Sequence, residues 1–317
     1  MAHKRYTSGF TLMELMIALA LGLLIVAAGL AVFLSSQRSL SLQSGMSELQ
    51  QNANFGLSLV THDLRHTNLN TASSHRVNNY DEGSGIIFKK ENLPTALQAT
   101  ANLVEAEFVT LQNKDTDNTT GTSDRLTIQY TPATSTIFNC EGVQVTGASS
   151  KTIVQRYYVA ESPQQVTGEP TSYSLYCDAA SYEGAVMTGL GTGAQQIMQR
   201  VDAFKVRLGV KDPAGQLSYM TIDQYIAAME TIRAACATPI DEGICAKTYL
   251  NVVSMDIGIL SRSTGTIGAD ANLNTQTSFN VAGTPVTLSG DVAVNKRYLR
   301  QAVNQVVAIR NTLGASS

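Results

Sequence analysis

Glu14 is the residue whose position most needs a chemical reason. Behind it, from Leu15 to Leu34, run 20 residues without a charge, an amide or a proline. As a helix this run spans roughly 30 Å, the hydrocarbon thickness of a bilayer. A carboxylate at the entering end of such a helix costs about 2.5–3.5 kcal/mol, so it calls for a cationic partner. Ahead of it lies a short leader, Met1 to Gly9, carrying Lys4 and Arg5. A secretory signal is cut after its apolar core; here the small residue, Gly9, stands before the core and just ahead of Phe10. Cleavage between Gly9 and Phe10 leaves the helix on the mature chain and creates an ammonium on Phe10. Within one chain that ammonium is one helical turn from Glu14. On a neighbouring subunit the same pair also fixes register between two copies, and this is the assembly role expected of Glu14.

Other groups offer weaker chemistry. His62 and His66 stand i, i+4, a spacing able to hold a metal ion, but no third ligand is evident nearby in the sequence. They read as part of an exposed helix face, and no metal site is expected. Asp115-Thr-Asp117-Asn-Thr119 begins like a calcium loop yet lacks the glycine at the sixth position and the closing glutamate. Asp270, Asn272 and Asn274 offer further oxygens without a ligand pattern. Lys296, Arg297, Arg300 and Arg310 cluster near the C-terminus and read as solvated strand-edge charges that deter mispairing. No Gly-x-Ser-x-Gly elbow, phosphate loop or histidine-rich motif is present, so neither catalytic residues nor a cofactor are expected.

The elements that carry these residues follow from composition and period. After the apolar run about 280 residues of the 317 remain, enough for one large or two small domains. Charged residues make up 15%, tryptophan is absent, and the formal net charge is -3. Loss of the leader leaves 20 bases against 25 acids, a balance that argues against a general nucleic-acid binder. Two bases precede the span and only Arg38 follows it closely, which places the leader inside the cell and the bulk of the chain outside. Four cysteines in an oxidising compartment pair, and proximity favours Cys140–Cys177 with Cys236–Cys245 among three connectivities.

Leu42, Met46, Leu49, Ala53, Leu57, Val60 and Leu64 form an apolar stripe of helical period. One helix is therefore expected from Phe10 to Leu69, its membrane half over 10–37 and its amphipathic half over 38–69. The head, 70–317, opens irregularly, with short strands near Ile86–Phe88 and Glu107–Leu111 and a polar loop over Asn113–Ser123. Arg125–Tyr130, Ile153–Val159, Tyr173–Cys177, Val201–Val210, Val253–Ile259 and Val303–Ile309 read as strands. Glu183–Gly193 reads as a mobile glycine-rich connection, and the run from Ile222 to Cys236 as an amphipathic helix. A long helix followed by mostly sequential strands is an α+β architecture with an antiparallel sheet.

Gly9-Phe10-Thr11-Leu12-Met13-Glu14-Leu15 and the apolar run behind it resemble the class III signal of type IV prepilins. Asp63-Leu64-Arg65, Ser123-Asp124-Arg125-Leu126, and Val201, Phe204 and Leu208-Gly209-Val210 resemble the PilW family of type IV minor pilins. So do the segment from Ile257 to Arg262-Ser263 and the terminal Val306-Val-Ala-Ile-Arg310-Asn311. His66-Thr67-Asn68 departs from the Ala-Gly that often follows the first of these motifs, and Ala31 stands where many major pilins have a kinking proline. The resemblance implies a type IV pilin-like fold, cleavage after Gly9 by prepilin peptidase, N-methylation of Phe10, and Glu14 as the fifth mature residue. It implies a single-pass inner-membrane protein of a Gram-negative cell, head in the periplasm, that later joins the surface pilus. The implied partners are other minor pilins, the major pilin and a tip-associated adhesin; direct nucleic-acid binding is not expected.

Three functions fit that family. The expected one is a minor pilin that primes pilus assembly at or near the tip and supports twitching motility, adhesion or DNA uptake. A J-type pseudopilin of type II secretion shares the signal and the fold. An adhesive or DNA-capturing module displayed on the pilus would need a basic groove or aromatic platform that the sequence does not display.

Overall fold

Thr11 starts the first helix: its hydroxyl accepts the Glu14 N–H at 3.2 Å, and the Glu14 carboxylate accepts the Thr11 N–H at 3.0 Å. This reciprocal cap satisfies two donors that a helix start leaves open. From there α1 runs Leu12–Leu64, 53 residues and about 80 Å long. These features come from a computed structural model, which describes residues 9–71, 76–99, 103–236, 242–266, 276–290 and 298–312.

The helix ends at Leu64 rather than Leu69. Asn68 and Asn70 take left-handed φ values of 66° and 50°, which a helix does not accommodate. Asn68 then turns its polar groups to the head: its N–H donates to Gln129 O and its Oδ1 accepts from the Gly85 N–H.

Two single turns, α2 (Thr95–Gln98) and α3 (Glu105–Phe108), precede β1 (Leu111–Asp115) and β2 (Ser123–Tyr130). Then come β3 (Thr136–Phe138), β4 (Gln144–Thr146), β5 (Thr152–Glu161), β6 (Tyr173–Glu183), β7 (Val186–Thr188) and β8 (Gln195–Gln199). The C-terminal part supplies β9 (Val201–Lys211), β10 (Leu217–Thr221), α4 (Ile222–Ala234) and α5 (Glu242–Cys245). It closes with β11 (Asn251–Thr266), β12 (Ser278–Val281), β13 (Thr284–Thr287) and β14 (Tyr298–Ala308).

Instead of one sheet, the described residues of the head form two large sheets and two small hairpins, β3–β4 and β12–β13. One has the order β1-β2-β5-β6-β7 with β8 also on β6; the other has the order β10-β9-β11-β14. Their strand pairs are antiparallel. The expected strand at Ile86–Phe88 is a single bridge from Ile86 to Ile128, and Glu107 lies in a helical turn, with pairing beginning only at Leu111. The glycine-rich stretch holds a hairpin, with Ser181 opposite Thr188.

Ala53, Leu57, Val60 and Leu64 of α1 share one core with Leu126, Tyr157 and Leu175 of the first sheet and Phe204, Val206 and Ile257 of the second. The helix is thus the element on which both sheets close. The β12–β13 hairpin covers the other face of the second sheet, through Phe279, Val281 and Val286 against Ala203 and Leu260. Gly258 permits that approach, since a Cβ there would lie 2.5 Å from the Ala282 nitrogen.

Candidate functional site

The membrane-facing end of the chain is exposed from the start. Phe10 is 89% exposed, and the most apolar window of α1 has a mean hydropathy of 2.8 with none of it buried by the head. The helix is long and apolar enough to cross a membrane. Glu14, inside this segment, holds the Thr11 N–H and the Thr11 hydroxyl with the same oxygen, at 3.0 and 2.9 Å. A carboxylate facing hydrocarbon thus begins with local donors, before any ammonium reaches it. The Thr11-x-x-Glu14 spacing is a capping-box signature legible in the sequence, and it adds a role to Glu14 that the charge argument alone overlooks.

The other half of α1 docks on the head. Gly45 takes the inward place expected of Met46, which is half exposed. At Gly56 a Cβ would sit 2.8 Å from Met198 Sδ, so the missing side chain sets how closely helix and β8 approach. Polar ties flank this contact: Asn52 Nδ2 donates to Gln199 O at 3.0 Å, and the Thr264 hydroxyl donates to the Glu48 carboxylate. At the helix end the Tyr157 hydroxyl donates to Asp63 Oδ2 at 2.8 Å, and Asn311 Nδ2 donates to Thr67 O at 3.0 Å. The face pointing away carries exposed Phe55 and Leu59.

The sequence-derived candidates separate on this frame. Cys140 is bonded to Cys177, with Cα atoms 6.1 Å apart, and Cys236 to Cys245, at 5.8 Å. The first bridge ties the turn before β4 to β6, and the second ties the end of α4 to α5.

The oxygen-rich loop before β2 is filled by a side chain of β9. Lys205 Nζ donates to Thr122 O at 2.6 Å and to Asn113 Oδ1 at 2.7 Å, with Asp124 Oδ1 at 3.3 Å. Asp115, the first residue of the calcium-like pattern, pairs instead with Arg125 at 2.5 Å. Asp117 turns away to cap its own loop, accepting from the Thr119 N–H and the Ser123 hydroxyl. Burial raises the carboxyl pKa of Asp117 and of Asp124, and Lys205 opposes the shift in both.

Of the C-terminal basic cluster, Arg300 is not the solvated strand-edge charge expected. The Arg300 side chain is buried, with Nε 2.7 Å from Asp202 Oδ2, and fully buried Arg262 shares the same carboxylate at 3.7 Å. Asn118 Nδ2 adds a third donor to Asp202 at 2.6 Å. Arg310 is exposed. Lys296, Arg297, Asp270, Asn272 and Asn274 lie outside the described residues.

A cavity of about 460 Å³ opens between Phe108, Met187 and Leu190, with Arg125 and Arg156 on its wall. Both arginines are already paired, Arg125 with Asp115 at 2.5 Å and Arg156 with Asp178 at 2.6 Å. Its charge is thus internally balanced.

His62, in the last turn of α1, and half-buried His66, in the turn just after it, lie side by side, and the structure supplies the third donor missing from the spacing argument. Donor atoms of His62, Asp63 and His66 all lie within 4.8 Å of one another. Asp63 is adjacent in sequence, but adjacency on a helix does not reveal where a carboxylate points.

An apolar, capped N-terminal helix that doubles as the spine of a two-sheet head defines a protein of the type IV pilin class. The comparisons agree: residues 4–30 match the prokaryotic N-terminal methylation motif, and residues 156–311 match the model described as type IV pilus-assembly protein W. Residues 156–311, just under half of the chain, are thus those of the PilW family of pilus-assembly proteins. Among solved structures, a type IV-like pilin from Thermus thermophilus aligns over 83% of this chain and 96% of its own, at 10% identity and a TM-score of 0.37. No curated protein matches.

Proposed function

We propose that this chain is a minor pilin that primes type IV pilus assembly and sits at or near the pilus tip. In this reading it waits as a single-pass inner-membrane protein of a Gram-negative cell with its head in the periplasm. Prepilin peptidase cuts between Gly9 and Phe10, Phe10 is N-methylated, and the helix then passes from lipid into the filament.

The observation that carries the reading is the division of α1. Its first half is apolar on all sides and free of the head, whereas residues from Gly45 onward pack the head on one side only. A helix apolar all round needs a lipid or a protein environment on every side. Phe55, 64% exposed, and Leu59 continue an apolar surface on the side away from the head. Neighbouring pilin helices would supply that environment once lipid is left behind. Such a contact would join two different surfaces, and contacts of that kind build filaments when their rotation does not close a ring. Other minor pilins, the major pilin and a tip-associated adhesin are the partners that follow, and twitching, adhesion or DNA uptake the activities served.

The test is deletion in the native host, scored for surface pili and for secreted enzymes in parallel. Loss of pili with normal secretion is the expected result. Normal piliation with lost secretion would transfer the chain to the J-type pseudopilins, and loss of neither would reject both.

A further inference from the structure

We propose that His62, Asp63 and His66 form a binding site for a borderline divalent transition cation, zinc being the simplest, at the point where α1 joins the head.

Three observations converge on it. First, the donor set is chemically suited: two imidazoles and a carboxylate are the ligands that zinc takes when it keeps one position open. Second, the distances are close to those required. Donor pairs around a tetrahedral zinc with bonds of about 2.0–2.1 Å stand roughly 3.3 Å apart. His62 Nδ1 and Asp63 Oδ1 are already 3.3 Å apart, and the donors of the full set lie within 4.8 Å. The remaining closure is within the reach of side-chain torsions, because the His62 side chain is 72% exposed and free to turn.

Third, the other two ligands are held from behind. Asp63 uses Oδ2 for the Tyr157 hydroxyl at 2.8 Å, which leaves Oδ1 facing His62. His66 stacks on Tyr130 with ring centroids 5.5 Å apart, and its backbone N–H donates to Asp63 O at 2.9 Å, which fixes the turn that carries the ring. The two imidazoles meet edge to face at 5.2 Å. Supports of this kind orient metal ligands and sustain their affinity. The fourth coordination position is left to water or to a donor from another molecule.

The test uses the full-length chain in detergent, with an affinity tag free of histidine, titrated calorimetrically with zinc chloride. Cobalt chloride serves as a second probe, since its visible absorption reports tetrahedral ligation. One zinc per chain is expected, with an intense cobalt spectrum. His62→Ala and His66→Ala should each weaken binding at least tenfold and abolish the cobalt bands, while Tyr157→Phe should weaken it by about tenfold through the carboxylate it orients. His62 is exposed, so its variant keeps the wild-type circular dichroism and isolates the ligand effect. Absence of saturable binding in the wild type, or binding that persists in the His62→Ala/His66→Ala double variant, overturns the proposal.

Discussion

The Tyr157 hydroxyl, buried in the middle of β5, donates to Asp63 Oδ2 at 2.8 Å and so ties the last turn of α1 to the first sheet. Asp63 belongs to the Asp63-Leu64-Arg65 motif, and the other motifs that carry the family resemblance behave alike. The Ser123 hydroxyl accepts the Phe204 N–H, and Asp124 Oδ2 accepts the Val206 N–H, each linking β2 to β9. Asn311 closes the C-terminus onto Thr67. In this structure these motif residues act as joints between elements.

Removing one joint tests this. Tyr157→Phe keeps the packing of the ring and deletes the donor to Asp63. A hydrogen bond to a charged group contributes about 1.5–3 kcal/mol, so unfolding by urea in detergent should show a loss in that range. A change smaller than about 0.5 kcal/mol would mean that water replaces the hydroxyl at the Asp63 carboxylate.

Lys205 makes a sharper case, because its ammonium fills a cage of oxygens. Lys205→Met leaves buried Asp124 without a cation and should cost about 3–5 kcal/mol. The wild-type unfolding midpoint should meanwhile be indifferent to millimolar calcium. A rise with calcium would show that the ion displaces or bypasses the lysine.

How closely α1 lies on β8 depends on Gly56. Gly56→Leu forces a side chain where a Cβ alone would approach Met198 Sδ to 2.8 Å, and overpacking of this kind costs about 1–3 kcal/mol. Limited proteolysis should cut the variant within residues 45–64 sooner than the wild type. Equal protection would mean that Met198 swings aside without separating helix and head.

What the sequence made legible was whatever is written in period or in local spacing. The alternation in Val206, Leu208 and Val210 placed β9, and the spacing of Leu49, Ala53, Leu57, Val60 and Leu64 placed the docking face. Met46 fell off that face because Gly45 lets Leu299 approach, a contact 254 residues away that no local pattern encodes. Arg300 read as a solvated charge for the same reason: its partner Asp202 comes from a different strand. Lys205 is likewise distant in sequence from Asn113 and Thr122, so no local pattern shows the tie it makes to that loop. The third donor beside His62 and His66 was hidden by rotamer rather than distance.

Both disulfides link residues close in sequence, and their energetic weight can be measured. The Cys140→Ser/Cys177→Ser double variant releases a loop spanning 37 positions and should lose about 2–4 kcal/mol. Peptide mapping without reductant should return Cys140–Cys177 and Cys236–Cys245. Crossed peptides would contradict the arrangement of α5 and the turn before β4.

The last prediction separates the two roles now open to Glu14. As the third helical residue it completes a capping box with Thr11, and as a carboxylate it is a candidate partner for the Phe10 ammonium of a neighbouring subunit. Glu14→Leu removes both roles at once, so lowered piliation in that variant alone cannot tell them apart. Glu14→Gln can, because glutamine completes the same capping box while carrying no charge. If the cap is what matters, Glu14→Gln should assemble pili as the wild type does. If the charge pair matters, Glu14→Gln should lose pili nearly as fully as Glu14→Leu, since the ammonium in the bilayer is left without a counter-charge. Glu14→Asp should fall between, keeping the charge on a shorter arm. The readout is surface pilus yield, with cleaved protein in the membrane confirmed by immunoblot. We expect the loss in Glu14→Gln; wild-type piliation there would reduce Glu14 to a helix cap.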